Sequence, residues 1–287
     1  SAMKHQLTRL DHPVIAVRDL EAARSVYERL GFIVPPRGRH REWGTGNWCI
    51  QFANDYLELR GFLQPSAAPQ ARELLVFIKR REGLMGIAFG TTGARATYDS
   101  LAAAGLHPLP VTPLTRDFEL PNGTVPVSFE LCFLPREETP GLMHVVVCEH
   151  LTPERLRRPE WLRHPNGTRR IAGLVAVAEN PDAAVGAWDR LFERVRPVGG
   201  GIEAEVEDGW MLLLDPGALR LRYPGVELPA AGEWPCLASV VLEVSDLGQT
   251  RACLRGRGIA CDSGSRVIAR PAEACGTLIE FAPVLHP

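Results

Sequence analysis

Four times along the chain a short apolar run passes through a turn into a helix. The first copy is "LDHPVIAVRDLEAARSVYERLGF", residues 10–32. Leu20, Ala23, Val26, Tyr27 and Leu30 fall at helical spacing on one face. Asp19 suits the helix N-cap and Gly31 the left-handed position after its end. Strand-like runs follow around Ile33, from Asn47 to Ala53 and from Tyr56 to Phe62, so the unit reads β-α-β-β-β. The rhythm returns in "LMGIAFGTTGARATYDSLAAAGL", "IAGLVAVAENPDAAVGAWDRLFE" and "CLASVVLEVSDLGQTRACLRGRGI". Their closing strands are read in "HVVVCEH", "ALRLRY" and "GTLIEFA". A module repeated in this way constrains the fold more than any single motif. It predicts an α+β protein of two domains, each made of two βαβββ modules. The boundaries read are residues 3–152 for the first domain, 153–169 for an Arg- and Pro-rich linker expected to be solvated, and 170–287 for the second.

Strand alternation then raises a question. In "NDYLELRGF", Leu57 and Leu59 face one way while Tyr56, Glu58 and Arg60 face the other. In the first strand His12, Val14 and Ala16 share a face; in the third, Asn47, Cys49 and Gln51 do. If the apolar faces cover the helices, the opposite faces line a polar concavity holding His12, Asn47, Gln51, Tyr56 and Glu58. The competing reading makes His12 an ordinary hydrogen-bonding residue and Glu58 a rim partner of Arg60.

Charge and composition narrow the function. A net charge of -2 over 287 residues argues against a nucleic-acid binder. No apolar run reaches the roughly 18 residues of a membrane span. The 7 cysteines lack a C-x-x-C pair and sit mostly in apolar runs, which suggests buried, reduced thiols in a cytoplasmic protein. No signal peptide is read, and Ser1 and Ala2 before Met3 look like a tag scar.

The D-H opening of the first strand, Val17–Asp19–Leu20–Ala23 at the turn, Tyr27–Leu30–Gly31–Phe32 at the helix end and "YLEL" in the fourth strand resemble the vicinal oxygen chelate superfamily. That superfamily includes glyoxalase I, bleomycin-resistance proteins and extradiol dioxygenases. His40, Trp43, Gly44, Thr45 and Asn47, with "CEHLTPE" and "HPNG", narrow the resemblance to glyoxalase-like proteins of two fused domains.

The resemblance implies that paired modules form a curved mixed sheet around a cup, with a divalent metal held by the first and fourth strands of two modules. Carried over by position, the ligands are His12, Glu58 and Glu149, with Glu58 or Glu149 shuttling a proton. A one-residue slip in "MHVVVCEH" would bring in His144 or His150 instead. Gly86 leaves a gap at the fourth ligand position, and with Ala88 it is expected to leave space for a ligand. Fe, Mn, Ni, Zn or Co would suit such a set. His40, Trp43, Asn47, Gln51 and Tyr56 are the candidate substrate contacts. In the last two modules the matching positions hold Gly173, Ser239, Arg220 and Glu280, which predicts a metal-free second domain. The implied function is a metal-dependent lyase, isomerase or dioxygenase acting on a small oxygenated molecule. The alternative is a metal-free binding protein of the bleomycin-resistance type. The partner expected is a small molecule rather than nucleic acid or membrane, and a homodimer is compatible with the pattern.

Overall fold

The computed structural model describes residues 3–284; Ser1 and Ala2 lie outside them. The first module comprises β1 (Leu10–Ala16), α1 (Leu20–Arg29), β2 (Gly38–His40), β3 (Thr45–Gln51) and β4 (Tyr56–Phe62). α2 (Pro69–Arg80) leads to the second: β5 (Gly83–Gly90), α3 (Ala94–Ala103), β6 (Thr112–Leu120), β7 (Gly123–Leu134) and β8 (His144–His150). These eight strands close into a barrel in the order β1-β4-β3-β2-β6-β7-β8-β5. β1 runs parallel to β4 and antiparallel to β5, while β2 joins β6 to shut the far side.

The second half comprises β9 (Thr168–Val177), α4 (Val185–Leu191), β10 (Val195–Val198), β11 (Gly201–Val206) and β12 (Gly209–Leu214), then α5 (Pro216–Arg222). It ends with β13 (Cys236–Val244), α6 (Leu247–Gly256), β14 (Asp262–Ser263), β15 (Arg266–Ala269) and β16 (Leu278–Pro283). Its strands form one mixed sheet in the order β10-β11-β12-β9-β13-β16-β15-β14, with β10 and β14 as open edges. The protein is thus α+β with two mixed sheets.

The helix caps are the ones read from the sequence. Asp19 accepts from the Ala22 amide at 3.0 Å and Asp246 from that of Gln249 at 3.1 Å. Gly31 takes a φ of 88°, which a side chain would strain. The helix-facing sides of both sheets meet in one continuous core in which Tyr27, Ile15, Leu174, Trp188 and Phe281 are buried.

Three expectations change. The strand placed around Ile33 lies later, at Gly38–His40. "ALRLRY" is part of α5, not a strand: Asp215 caps it by accepting from Ala218 at 2.7 Å, and Pro216 opens it. Its alternation of leucine and arginine imitates a strand over too short a window to separate the periods. The parallel partner of β9 is instead β12, so Arg220 is not an interior strand residue. Finally, residues 153–169 do connect the halves, but not as a solvated tether. Trp161, His164 and Asn166 are buried. His164 bridges the Ile33 amide and the Gln51 carbonyl, and Asn166 donates to the Leu30 carbonyl at 3.0 Å.

Candidate active site

The barrel interior answers the question posed by Glu58. Its carboxylate, 1% exposed, faces the lumen from the middle of β4. Arg60, two residues along the same face, donates Nε to Oε1 at 3.1 Å and Nη2 to Oε2 at 2.9 Å. Asn47 of β3 donates to Oε1 at 2.8 Å. The His12 Nε2 lies 3.4 Å from Oε2 and the His40 Nε2 3.6 Å from Oε1. Burial alone would push this carboxyl up; Arg60, His12 and His40 outweigh it and hold it well below the usual carboxylate range.

β1 supplies two neighbouring residues rather than one. A register shift between Leu10 and His12 in the β1–β5 pairing breaks strict alternation. Asp11 is thereby fully buried beside the site. It bonds the His12 Nδ1 at 2.7 Å, leaving Nε2 turned toward Glu58. Asp11 also bonds the His150 Nε2 at 2.9 Å and accepts from Arg9 at 3.1 Å. Burial pushes the Asp11 carboxyl up, but His150 and His12 prevail and hold it well below its ordinary value.

β8 takes the slipped register. His144, Val146 and Cys148 line the lumen, and His150 reaches Asp11. Glu149 points to the opposite face, where it accepts from the Ala94 amide at 2.9 Å. It therefore occupies the N-terminus of α3, whose cap position, Gly93, carries no side chain to do the job. Glu149 is not brought together with His12 and Glu58. Asp11, Cys148 and His150 come together with one another: one ligand atom from each lies within 4.8 Å of the others. This is a possible metal site of imidazole, carboxylate and thiol. Burial holds the Cys148 thiol well above its ordinary value.

Gly86 does face the lumen. Yet a Cβ there would sit 2.2 Å from the His144 carbonyl oxygen, so the position offers no room for a further ligand side chain. The gap in the donor set is a packing requirement of the β5–β8 pair.

The remaining candidates divide. Tyr56 stacks on His12 with ring centroids 4.3 Å apart. His40 and Trp43 line the cavity in mutual contact, and Arg60 covers the Trp43 ring. Burial, then Arg60, lowers the His40 pKa to about 3, and Thr45 and Asn47 flank its two ring nitrogens. Gln51 shares the strand face but is fully buried outside the cavity lining. The cavity itself measures about 70 Å³, room for a few water-sized groups. Asp11, Arg116, Cys148 and His150 were not foreseen as a set. The bulge in β1 hides Asp11 from alternation, and the β8 register decides between odd and even positions.

The sequence profile of the glyoxalase-like domain matches residues 10–192, most of the chain. The chain belongs to the glyoxalase-like domain family. It is thereby a member of the vicinal oxygen chelate superfamily. Solved structures share the fold of this glyoxalase-like protein at low identity. A hypothetical protein from Staphylococcus aureus aligns with a TM-score of 0.67 and 12% identity over 96% of this chain and 98% of its own. A triple mutant of 4-hydroxymandelate synthase from Streptomyces coelicolor aligns at 0.60 and 11%, over 96% and 92%. A fusion of a xylose isomerase-like TIM barrel with 4-hydroxyphenylpyruvate dioxygenase aligns at 0.59 and 13%, over 96% of this chain and 50% of its own. The comparison with curated proteins found no match. Among the described residues no helix is long and apolar enough to cross a membrane.

Proposed function

We propose that the barrel houses a metal-assisted enzyme of the glyoxalase-like class, which moves a proton on a small oxygenated molecule. One observation carries this reading: His12 is held between Asp11 and Glu58 inside a closed barrel. The carboxylate on Nδ1 fixes the ring, and Nε2 is the atom left to exchange a proton with a bound molecule. Glu58 is a poor base, because Arg60 keeps it ionised; its part is to hold charge opposite His12. Trp43, Phe129 and Phe133 wall the cavity and keep bulk water out.

The donor set is compatible with a divalent ion. Asp11, Cys148 and His150 are the residues that would hold it, since one ligand atom from each lies within 4.8 Å of the others. Such a mixed imidazole, carboxylate and thiol set favours Fe, Co, Ni or Zn over Mg or Ca. Bound there, such an ion would polarise a carbonyl or enediolate oxygen. A metal-free binding role is the second reading, and the bidentate Arg60–Glu58 pair favours it by satisfying the carboxylate within the chain.

Elemental analysis separates the two. Protein purified without an affinity metal, then exposed to Fe, Mn, Ni, Zn and Co in turn, is expected to take up one ion per chain. His150→Ala should abolish that uptake and Cys148→Ala should weaken it. Wild-type protein that takes up none of the five ends the metal reading in favour of the binding one.

A further inference from the structure

Arg116 of β6 is a large, fully charged side chain only 1% exposed, and it lines the same cavity. Its Nη1 donates to Asn47 Oδ1 at 3.3 Å and contacts the Cys49 sulfur. Its Nε and Nη2 are buried without a hydrogen-bond partner among the described residues. These two nitrogens form one edge of the guanidinium, the edge that grips a carboxylate with two parallel bonds. Leaving a charged donor pair unmet in a protein interior is costly, and buried charges are ordinarily paired.

None of the described cavity-lining residues supplies a free counter-charge. Glu58 is the carboxylate among the cavity-lining residues, and Arg60 already holds both of its oxygens. Two guanidiniums therefore share one carboxylate, an excess of one positive charge. The surroundings hold Arg116 in place. The rings of Phe118, Phe129 and Tyr56 lie 4.6, 5.7 and 5.8 Å from its Cζ. Gly38 leaves the space for it, since a Cβ there would come within 2.7 Å of the Arg116 Cδ and 2.2 Å of the Asn47 Oδ1.

We infer that the Nε/Nη2 edge of Arg116 is an anchor for a small monocarboxylate, whose oxygenated carbon then lies toward His12 and Glu58. Asn47 sets the register between the two ends. Its Oδ1 accepts from Arg116 and its Nδ2 donates to Glu58 at 2.8 Å, so anchor and reacting end are one side chain apart. The cavity of about 70 Å³ limits the ligand to a short acid. The assignment names the substrate class for the function proposed above and rests on that reading for the reacting end, whereas the anchor stands on Arg116 alone.

The test uses lactate and pyruvate with their neutral amides, lactamide and pyruvamide, and inorganic phosphate. Binding is followed by calorimetry and by thermal shift on the full chain, once after chelator treatment and once after loading with whichever of the five ions it takes up. Either acid should bind at least tenfold more tightly than its amide and than phosphate, in both preparations. Arg116→Lys, which keeps the charge but loses the fork, should weaken acid binding about tenfold, and Arg116→Gln more. Circular dichroism of both variants reports whether they fold. If both unfold, Asn47→Ala, which frees the Arg116 register, should weaken acid binding severalfold in a folded protein. Equal binding of acid and amide, preference for phosphate, no binding of either acid, or unchanged affinity in folded variants overturns the anchor. Acid binding that persists where no ion is taken up upholds the anchor while the metal-assisted reading fails.

Discussion

The barrel and the open sheet each use the repeated module twice, and each points a glutamate from an inner strand into a concave face. In the barrel, Glu58 meets one guanidinium and two imidazoles. In the sheet, Glu280 meets Arg222 at 3.1 Å, Arg266 at 2.9 Å and the Tyr223 hydroxyl at 2.8 Å, which also bonds Ser239. The difference lies in closure. Pairing of β2 with β6 shuts the barrel around a cavity of about 70 Å³, whereas the sheet keeps free edges and a groove of about 690 Å³. Charges in the closed space are poorly screened, so imidazoles and a spare guanidinium there acquire chemical consequence. The same charges along the groove are matched side by side, as Arg196 is with Glu203 and Arg170 with Glu243. Gly173 adds a steric reason, since a Cβ there would sit 2.4 Å from the Trp210 ring, which covers the position of a would-be ligand.

The comparison is most exposed at the seam. Trp188 of α4 is fully buried and donates to the Pro140 carbonyl of the barrel half at 2.9 Å. Trp188→Ala should cost about 3–5 kcal/mol. Because the two halves share a core, urea unfolding followed by circular dichroism should remain one transition at a lower midpoint. Two separated transitions would show that barrel and sheet are independent bodies.

The next effect sharpens the contrast between the two glutamates. Glu58→Gln leaves Arg60 without its carboxylate in a closed interior and should cost roughly 3 kcal/mol. Glu280→Gln should cost about 1 kcal/mol, since Arg222 and Arg266 border solvent and can rehydrate. Equal losses in chemical denaturation would mean that closure does not set the dielectric.

A smaller effect depends on pH. Asp55, between β3 and β4, accepts from the Ile171 amide of β9 at 3.2 Å. Burial raises its pKa to about 8 against the pull of that amide. Between about pH 4 and 8 the folded chain keeps a proton that the unfolded chain has released. Stability therefore falls as pH rises through that window. His40 acts oppositely: neutral when folded, it withdraws stability as pH drops from about 6.5 toward 3. Asp55→Asn should remove the first slope and raise stability at pH 8 by roughly 2 kcal/mol, well short of the about 5.5 kcal/mol that a full one-proton slope of about 1.4 kcal/mol per pH unit would accumulate between about pH 4 and 8. A variant whose stability keeps the wild-type slope from pH 5 to 8 would clear Asp55 of that role.

Much of this was legible from residue order. The repeat, the caps at Asp19 and Asp246, the inner face carrying His12, Asn47, Tyr56 and Glu58, and their approach to one another follow from periods of 3.6 and 2. What escaped was set by pairing. A bulge in β1 brings Asp11 inside next to His12, and no periodicity announces a bulge. In β8, "HVVVCEH" is apolar on both faces, so nothing within it selects odd or even positions. α5 fitted two periods at once. Arg116 lies on a strand of the second module and meets Asn47, Cys49 and Tyr56 of the first, a juxtaposition that exists only after closure.

Glu149 offers the finest cut, because it separates a ligand from a cap. Asp19, at the start of α1, and Glu149, reaching across to the start of α3, each accept one helix-terminal amide, from Ala22 at 3.0 Å and from Ala94 at 2.9 Å. The first is local and the second comes from a neighbouring strand, but the physical term is the same: an oxygen meeting a free N–H at the positive end of a helix. Asp19→Ala and Glu149→Ala should each cost about 1 kcal/mol. Glu149→Gln, which keeps an acceptor oxygen and loses the charge, should cost about half of that. None of the three should change metal uptake, since Glu149 faces away from His12. The measurement pairs a thermal melt with elemental analysis of the same sample. A Glu149→Ala protein that melts like wild type but loses its ion would return Glu149 to the ligand set and require β8 to take the other register.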